Sequence, residues 1–180
     1  ALTDGDANVA IGNQALQTHA AGGNNIAIGN TAMYDTNSGT TASSSGHNIF
    51  IGSAAGSGTW ANQDNSHCVG IGAGVLAGGL QGDTTDGTVA IGYAALANLT
   101  SGAGNTAIGY KSLYGINDDN YNTAVGYQAL MAQDASGGNN TAIGYKAGVA
   151  LTTGISNTAI GSSASASITT EASNTSLGYE

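Results

Sequence analysis

The chain has 180 residues, including 30 glycines, a single tryptophan and no proline, and its formal net charge is −9 from 11 acidic and 2 basic residues. This acid excess argues against nucleic acid and anionic membrane surfaces as partners, because both need clustered Lys and Arg. No apolar run is long enough for a membrane span. Bulky apolar residues are too few for one thick core, but they suffice for a thin core renewed in every repeat.

Ten copies of one phrase, Asn-x-Ala-Ile-Gly, run along the chain and are usually followed by x-x-Ala-Leu. The repeat glycines are Gly12, Gly29, Gly52, Gly72, Gly92, Gly109, Gly126, Gly144, Gly161 and Gly178. Self-similarity at a nearly constant short period, here most often about 17 residues, indicates a stacked repeat fold. We therefore interpret residues 1–180 as a single repeat domain. Its coils start near residues 8, 25, 48, 68, 88, 105, 122, 140, 157 and 174.

The three residues before each repeat glycine have the chemistry of a β-strand. The first is Val, Ile or Thr, the second is nearly always small, and the third is Ile, Val or Leu, as in Val89-Ala90-Ile91. This alternation matches the two-residue period of a strand. A helix is disfavoured because every copy contains glycine and most begin with asparagine. The x-Ala-Leu half of the repeat predicts a second short strand, followed by Gly-, Ser- and Asn-rich turns.

This repeat length accommodates two short strands and two turns, which make one coil of a flattened parallel β-solenoid, or β-roll. The predicted fold is all-β, with about ten coils of about 17–23 residues stacked about 4.8 Å apart. Equivalent side chains then form ladders, in which buried asparagines satisfy backbone groups at the turns. The repeat glycine indicates either a positive φ or a close backbone approach. The residues assigned to this structural repeat are Asn8, Ile11, Gly12, Asn25, Ile28, Gly29, Asn105, Ile108, Gly109, Asn122, Gly126, Asn140, Gly144, Asn157 and Gly161.

A single roll of this thickness buries little apolar surface. The small residues on one strand face suggest the close approach of another sheet or another chain, and side-by-side association of identical chains would cover exposed faces. We therefore expect an oligomer. The initial Ala1-Leu2 resembles the Ala-Leu that closes other repeats, and the chain stops within a repeat, so we also expect a fragment of a longer fibrous protein.

The repeated phrase resembles the heads of trimeric autotransporter adhesins, whose motif reads Asn-Ser-Val-Ala-Ile-Gly. The match is clearest at residues 8–12, 25–29 and 89–92. A later form, Asn-Thr-Ala-Ile-Gly-Tyr at residues 105–110, is similar to arrays in phage tail-fibre proteins. The resemblance covers almost the whole chain and implies left-handed parallel β-rolls that pack as homotrimers. The repeat here is longer than the adhesin coil, so the matrix-protein ligands of adhesin heads are not carried over.

Few residues are arranged for catalysis. Residues 69–74 read Val-Gly-Ile-Gly-Ala-Gly, but the glycine spacing is wrong for a dinucleotide-binding loop and no helix pattern follows. Paired carboxylates could suggest a glycosidase, but no surrounding catalytic residues accompany them. We therefore predict no enzyme, no catalytic residue and no cofactor. Cys68 is the single cysteine, and a small buried thiol is its expected state.

Histidines and acidic turns are the candidate metal ligands. His19, His47 and His67 lie between repeats and are not spaced as a metal set on one chain. Three copies of one histidine around a trimer axis could bind a metal, but solvated loop histidines are the favoured interpretation. Acidic turns could hold Ca²⁺, although solvated turn carboxylates account for them better, and no metal site is predicted. The acidic pairs are Asp4 and Asp6, Asp83 and Asp86, and Asp118 and Asp119.

Exposed loops on a rigid scaffold are the usual places for binding, so the insertions at 34–47 and 57–67 are the candidate receptor contacts. Trp60 is either an exposed recognition anchor or a side chain folded over its own loop. The tyrosines that follow several repeat glycines are interpreted as a packing ladder, although stacked aromatic rings can also hold sugars. The candidate receptor-binding residues are Trp60, Tyr34, Asp35, Asn37, His47, Asn62 and Asp64.

The leading functional hypothesis is a non-enzymatic attachment fibre, either a phage tail fibre or a bacterial surface adhesin, located on a virion or an extracellular surface. A rigid homotrimeric shaft or head would present loops to a cell-surface glycan or protein receptor, with avidity from three copies. A purely structural spacer is a variant of this hypothesis. The alternative is an ice-binding β-solenoid, suggested by the threonine column from Thr106 to Thr175 and by the low charge. Against it, the column is one residue wide and becomes Val or Ile in the first five coils.

Overall fold

The computed structural model describes residues 6–19, 22–36, 45–60, 65–80, 85–134 and 137–180. Ten three-residue strands form one parallel sheet in chain order, so the predicted all-β parallel solenoid is confirmed. The strands are β1 (Val9–Ile11), β2 (Ile26–Ile28), β3 (Ile49–Ile51), β4 (Val69–Ile71), β5 (Val89–Ile91), β6 (Thr106–Ile108), β7 (Thr123–Val125), β8 (Thr141–Ile143), β9 (Thr158–Ile160) and β10 (Thr175–Leu177).

Each strand pairs with the equivalent residues of the next coil. Ile11 lies opposite Ile28, which in turn lies opposite Ile51. This register is kept although more residues lie between Ile28 and Ile51 than between Ile11 and Ile28. The extra residues are therefore accommodated outside the strands, in the segments that connect one coil to the next.

The middle residue of each internal strand points into the solenoid. Ala27, Ala90 and Ala124 are fully buried, whereas the β-branched residues beside them are half-buried or exposed. These alanines share one core cluster with the leucines of the turn segments, such as Leu96 and Leu130. The expectation that the small face meets another sheet or another chain is therefore wrong. The small face packs inside its own coil, and the β-branched residues face outward.

The second half of the repeat is a turn segment, so the prediction of a second strand there is wrong. After Gly92, the residues Ala94 and Leu96 both have φ near 52°, and this recurring left-handed backbone prevents an extended strand. Adjacent coils still pair through alternate residues, because Ala94 N–H donates to Ala73 O at 3.0 Å and Leu96 N–H donates to Ser112 O at 3.1 Å. The segment curls so that Leu96 is buried in the core while the hydrogen bonds between coils continue.

Asparagines at the start of the strands form a ladder of side-chain hydrogen bonds. Asn25 N–H donates to Asn8 Oδ1 at 2.8 Å, and Asn157 N–H donates to Asn140 Oδ1 at 2.8 Å. The same carboxamide of Asn140 donates through Nδ2 to the turn carbonyl of Gly154 at 2.8 Å. Each buried asparagine thus satisfies backbone groups of two segments, as predicted from the sequence.

The asparagine ladder is interrupted where Cys68 and Thr88 replace asparagine. Cys68 N–H still donates to Asn48 Oδ1 at 2.9 Å, but a thiol cannot offer the next coil a carbonyl oxygen. The buried Thr88 hydroxyl has no hydrogen-bond partner among the described residues. An unpaired buried hydroxyl is destabilising, so the ladder is weakened at Thr88.

The repeat glycines have both a positive φ and a close backbone approach, the two alternatives that the sequence left open. At Gly126 the backbone has φ of 140°, a conformation that residues with a side chain rarely adopt. A Cβ at this position would also overlap the carbonyl oxygen of Gly144 in the next coil. The column of glycines is therefore a stack of backbone on backbone with no room for a methyl group.

One coil has an aromatic core. Phe50 occupies the inward position that is alanine in most coils, and its ring meets Trp60 edge-on, with centroids 5.6 Å apart. A Cβ on either Gly56 or Gly70 would overlap the Phe50 ring. Glycine at these two positions therefore makes the space that the larger side chain fills.

Candidate functional site

The outward side chains of the sheet form a continuous surface, which we call the outer face. It consists of the first and third residues of the strands in two parallel columns, held in register by the strand pairing. The third-residue column is apolar throughout, and Ile108 and Ile143 are 37% and 40% exposed. In the first-residue column, Val or Ile occurs up to β5 and Thr from β6 onward. The single chain thus presents an apolar strip along its whole sheet.

A second surface lies at the turn after the repeat glycine. Tyr93, Tyr110, Tyr127 and Tyr145 stack with ring centroids 5.1–5.5 Å apart and interplanar angles of 8–13°. We call these four residues the Tyr ladder. The predicted packing ladder is confirmed, but the side chains are 39–55% exposed. Ring faces meet neighbouring rings, so this surface presents ring edges to solvent.

Both lysines of the chain lie on the Tyr ladder. Lys111 Nζ is 5.7 Å from the centroid of the Tyr110 ring and 5.0 Å from that of Tyr114, while Lys146 Nζ is 5.4 Å from that of Tyr145. The distances to Tyr114 and Tyr145 are cation–π distances, so these contacts restrain the ammonium groups. Both faces of the Tyr110 ring are covered by Tyr93 and Tyr127. Sequence reasoning missed this cluster, although the Tyr-Lys pairs after Gly109 and Gly144 were a visible signal.

The predicted receptor-binding loops are only partly in the described structure. Asn37, Asn62 and Asp64 lie outside the described residues. Tyr34 and Asp35 are half-buried. Thr59 Oγ1 donates to Asp35 Oδ2 at 2.9 Å, so Asp35 links two coils in addition to any contact it makes with a receptor.

Trp60 is fully buried, which matches the second of its two predicted states. Its indole packs on Phe50 within the core cluster, and its Nε1 has no hydrogen-bond partner among the described residues. A buried indole cannot contact a receptor, so the proposed role of Trp60 as a recognition anchor is corrected. Its size and rarity drew attention to it in the sequence, but its contact with the buried Phe50 ring keeps it in the core.

His47 and His67 are exposed and stack on each other across adjacent coils, with ring centroids 5.2 Å apart and an interplanar angle of 10°. Their separation in sequence concealed this pairing, because the extra residues of these coils lie between them. Within the described ranges, no group of three or more His, Cys, Asp or Glu side chains is arranged for a metal ion.

His19 is buried and hydrogen-bonded, so its prediction as a solvated loop residue is wrong. Its Nδ1 lies 2.8 Å from Thr36 Oγ1, and its Nε2 lies 3.2 Å from both Gly22 O and Asn25 Nδ2. Burial lowers the pKa of His19 below its usual 6.5, against a smaller opposing effect of the hydrogen bond to Gly22. The ring therefore acts as a neutral link between coils.

Cys68 is a buried thiol, as expected from the sequence. Its Sγ donates to Thr85 O at 3.1 Å, and burial raises its pKa to about 11. A thiol held neutral in this way is a poor nucleophile and a poor metal ligand.

The acidic turns are divided among different environments. Asp4 and Asp83 lie outside the described residues. Asp86 accepts a hydrogen bond from Ser66 N–H at 2.8 Å, and Asp119 is buried with its Oδ2 3.4 Å from Gln133 Nε2. Asp86 and Asp119 thus bind groups of the chain itself.

The described part of the surface has no pocket. None of the described segments is a helix long and apolar enough to cross a membrane. Comparison of the chain with family models, with curated proteins and with solved structures found no match.

Proposed function

We propose that this chain is part of a homotrimeric, non-enzymatic attachment fibre that binds a glycan or protein on a cell surface. The observation that supports the proposal most directly is the outer face, which exposes an apolar column along all ten strands of the sheet. Soluble monomers rarely expose a contiguous apolar surface of this kind, and such surfaces usually mark association sites.

Identical chains are the partner that best suits this surface. The outer face repeats once per coil in a constant register, so a copy with the same repeat can match it along its length. Three chains arranged around a common axis would turn all three outer faces inward in a closed assembly. The number three rests on the resemblance to trimeric adhesin heads and tail-fibre arrays.

The remaining surface suits presentation rather than chemistry. Ten strands stacked about 4.8 Å apart give a rod of roughly 45 Å, and the segments that connect its coils differ in length. A trimeric rod would hold three copies of each surface feature at fixed spacing, so weak single contacts would combine. We place such a fibre on a virion or on the outside of a bacterial cell.

Sedimentation equilibrium of the purified chain tests the assembly, with a trimer as the expected result. A double substitution on the outer face, Ile108→Lys and Ile143→Lys, is expected to yield monomers that keep the β-type circular dichroism spectrum. The matched control is Ile155→Lys, because Ile155 is exposed but lies outside the strands. It is expected to remain trimeric. A wild-type chain that is monomeric at all concentrations would refute the proposal.

An ice-binding solenoid is the second candidate, because the outer face is wider than the sequence suggested. From β6 to β10, a threonine column runs beside the apolar column, in register on the same side of the sheet. A flat, regular array of hydroxyl and methyl groups could order water. Both candidates need the same face, so they exclude each other. A thermal-hysteresis assay separates them, and a trimer without hysteresis removes the ice-binding candidate.

A further inference from the structure

We propose that the Tyr ladder, with Lys111, Gln128 and Lys146 beside it, is a binding site for an extended acidic polysaccharide that runs along the axis of the solenoid. This inference rests on the proposed attachment function, because it gives the receptor a chemical class and a location. It places the site on the regular coils rather than on the long loops.

Charge is the first argument. The chain has 11 acidic and only 2 basic residues, yet both basic residues lie on this one surface, separated by two coils. Within the described ranges, the contacts found for both ammonium groups are to tyrosine rings, which leaves their charge able to attract an external anion. Among the described residues of this otherwise acidic chain, this is the surface whose charge favours a negatively charged ligand.

Spacing is the second argument. Side chains of adjacent coils are about 4.8 Å apart, which is close to the length of one pyranose in an extended glycan. A polysaccharide along the axis could therefore place one sugar on each coil. Lys111 and Lys146 flank the coil of Gln128, so they match acidic groups on alternate sugars, and Gln128 can bond to the hydroxyls of the sugar between them.

Rigidity is the third argument. The backbone behind the Tyr ladder is fixed by bonds between coils: Lys111 N–H donates to Tyr93 O at 2.9 Å, Gln128 N–H to Tyr110 O at 2.9 Å and Lys146 N–H to Tyr127 O at 2.8 Å. Stacking restrains the rings, and cation–π contacts restrain the lysines. A surface ordered before binding loses little entropy when the ligand arrives.

The same geometry distinguishes this site from a nucleic-acid site. Bases bind single-stranded sites by stacking on exposed aromatic faces, but the faces within the Tyr ladder are covered by neighbouring rings. What remains accessible is a row of ring edges with lysines beside them, and Gln128 occupies the equivalent backbone position in the coil between the two lysines. Such a row suits the hydroxyl and carboxylate groups of a sugar chain better than it suits a flat base.

The test measures binding of the intact chain to a hyaluronan decasaccharide, whose uronate groups occur on alternate sugars, by isothermal titration calorimetry at low salt. We expect binding that weakens as salt rises. Neutral cellohexaose is expected to bind at least about tenfold more weakly, because it lacks the charge that the lysines recognise. Equal binding of both sugars, or no binding of hyaluronan, overturns the proposal.

Variants locate the site. Lys111→Gln combined with Lys146→Gln is expected to weaken hyaluronan binding about tenfold, whereas the corresponding Arg substitutions are expected to retain it. Tyr127→Phe, which keeps the stacked ring and removes the central hydroxyl, tests the ladder without a risk to folding. Its matched control is Tyr121→Phe, because Tyr121 is exposed outside the ladder. We expect weaker binding for Tyr127→Phe and unchanged binding for Tyr121→Phe. Unchanged binding by the double Gln variant overturns the proposal.

Two further measurements separate this inference from the proposed function. Sedimentation of each variant reports the assembly independently of sugar binding. A trimer that binds no acidic sugar would refute the proposed sugar site but not the proposed trimeric fibre. A monomer that binds hyaluronan through Lys111 and Lys146 would refute the trimeric fibre but not the sugar site. Equal affinity for a single-stranded oligothymidylate would identify a nonspecific polyanion surface and would also overturn the site.

Discussion

Between Gly12 and Gly92, three of the four steps from one repeat glycine to the next are longer than any step between Gly92 and Gly178. The first part, residues 6–91, which we call the N-terminal region, contains the Phe50–Trp60 contact, all three histidines and both interruptions of the asparagine ladder. The second part, the C-terminal region (residues 92–178), contains the Tyr ladder and both lysines. Strand register is nevertheless the same in both regions.

This comparison separates what the fold requires from what it tolerates. Both regions keep the glycine column and the inward small residue, with Phe50 as the compensated exception. Loop length, core aromatics and surface charge differ between them. The shared features set the stacking of the coils, and the variable features are available for other roles.

The largest effect is expected from the glycine column, and it should be equal in the two regions. Gly52→Ala and Gly126→Ala would each place a Cβ against the carbonyl oxygen of the next repeat glycine at a φ near 140°. We expect each to lower the free energy of unfolding by on the order of 3 kcal/mol or more, measured by urea denaturation. Gly74→Ala is the control, because its Cβ would meet nothing within 4 Å, and its expected cost is about 1 kcal/mol. A much smaller effect at Gly52 than at Gly126 would mean that the N-terminal region is loosely stacked.

The next effect concerns the aromatic core of the N-terminal region. Gly70→Ala would overlap the Phe50 ring, so we expect a loss of about 1–3 kcal/mol. Phe50→Ala alone leaves a cavity and is expected to cost about 3 kcal/mol, less than a substitution in the glycine column. The double variant recreates the Ala-on-Ala packing of the C-terminal region, so its cost is expected to be smaller than the sum of the two. Additive losses in urea denaturation would contradict this account of the Phe50 site.

A loss of stability of intermediate size is expected when the pH is lowered, and it should be confined to the N-terminal region. Because burial lowers the pKa of His19, the unfolded chain binds a proton more readily than the folded chain. The stability that neutral His19 contributes is present above its unfolded pKa of 6.5 and is lost as pH falls below that value. Hydrogen exchange at about pH 7.5 and about pH 5 is expected to show lower protection around His19 in acid, after correction for intrinsic exchange rates. The variant His19→Gln is expected to reduce this difference, and an unchanged difference would assign the acid sensitivity to another group.

The smallest effect is expected at the interrupted asparagine ladder. Thr88→Val removes a buried hydroxyl that has no partner among the described residues, so we expect no loss of stability and a gain of up to about 1 kcal/mol. Thr85→Val is the matched control, because the Thr85 hydroxyl donates to Asn65 Oδ1 and its removal is expected to be destabilising. If thermal denaturation ranks the two variants in the opposite order, the Thr88 hydroxyl has a partner in solution.

The sequence predicted the fold well because the strand and the asparagine ladder depend on local patterns that recur in every copy. It failed at the x-Ala-Leu segment, where Ala94 and Leu96 adopt a left-handed backbone that their side chains do not signal. It also predicted that the small strand face meets another sheet or another chain, because residue size alone does not say which side of a strand is inside. The burial of Trp60 accompanies its edge-on contact with Phe50, whose ring fills the space left by Gly70 in the next coil.

The candidate surfaces were harder to predict than the fold. Loop length favoured residues 34–47 and 57–67 as the binding site, yet the Tyr ladder and both lysines lie on the shorter repeats. Lys111 and Lys146 are two coils apart in the chain, and only the stacking of coils brings them to one side of the rod. The exposure of the outer face likewise followed from knowing which side of each strand is inward.

The asparagine carboxamides link each coil only to its immediate neighbours, and this has a mechanical consequence. Pulling on the two ends of the rod would load the bonds at a terminal coil before those further in, so coils would peel off singly rather than yield together. Single-molecule stretching is expected to show a series of small, similar force peaks. Each coil of the N-terminal region with a long loop would release more chain when it detaches. The distance between successive force peaks would therefore increase with the length of the loop in each coil.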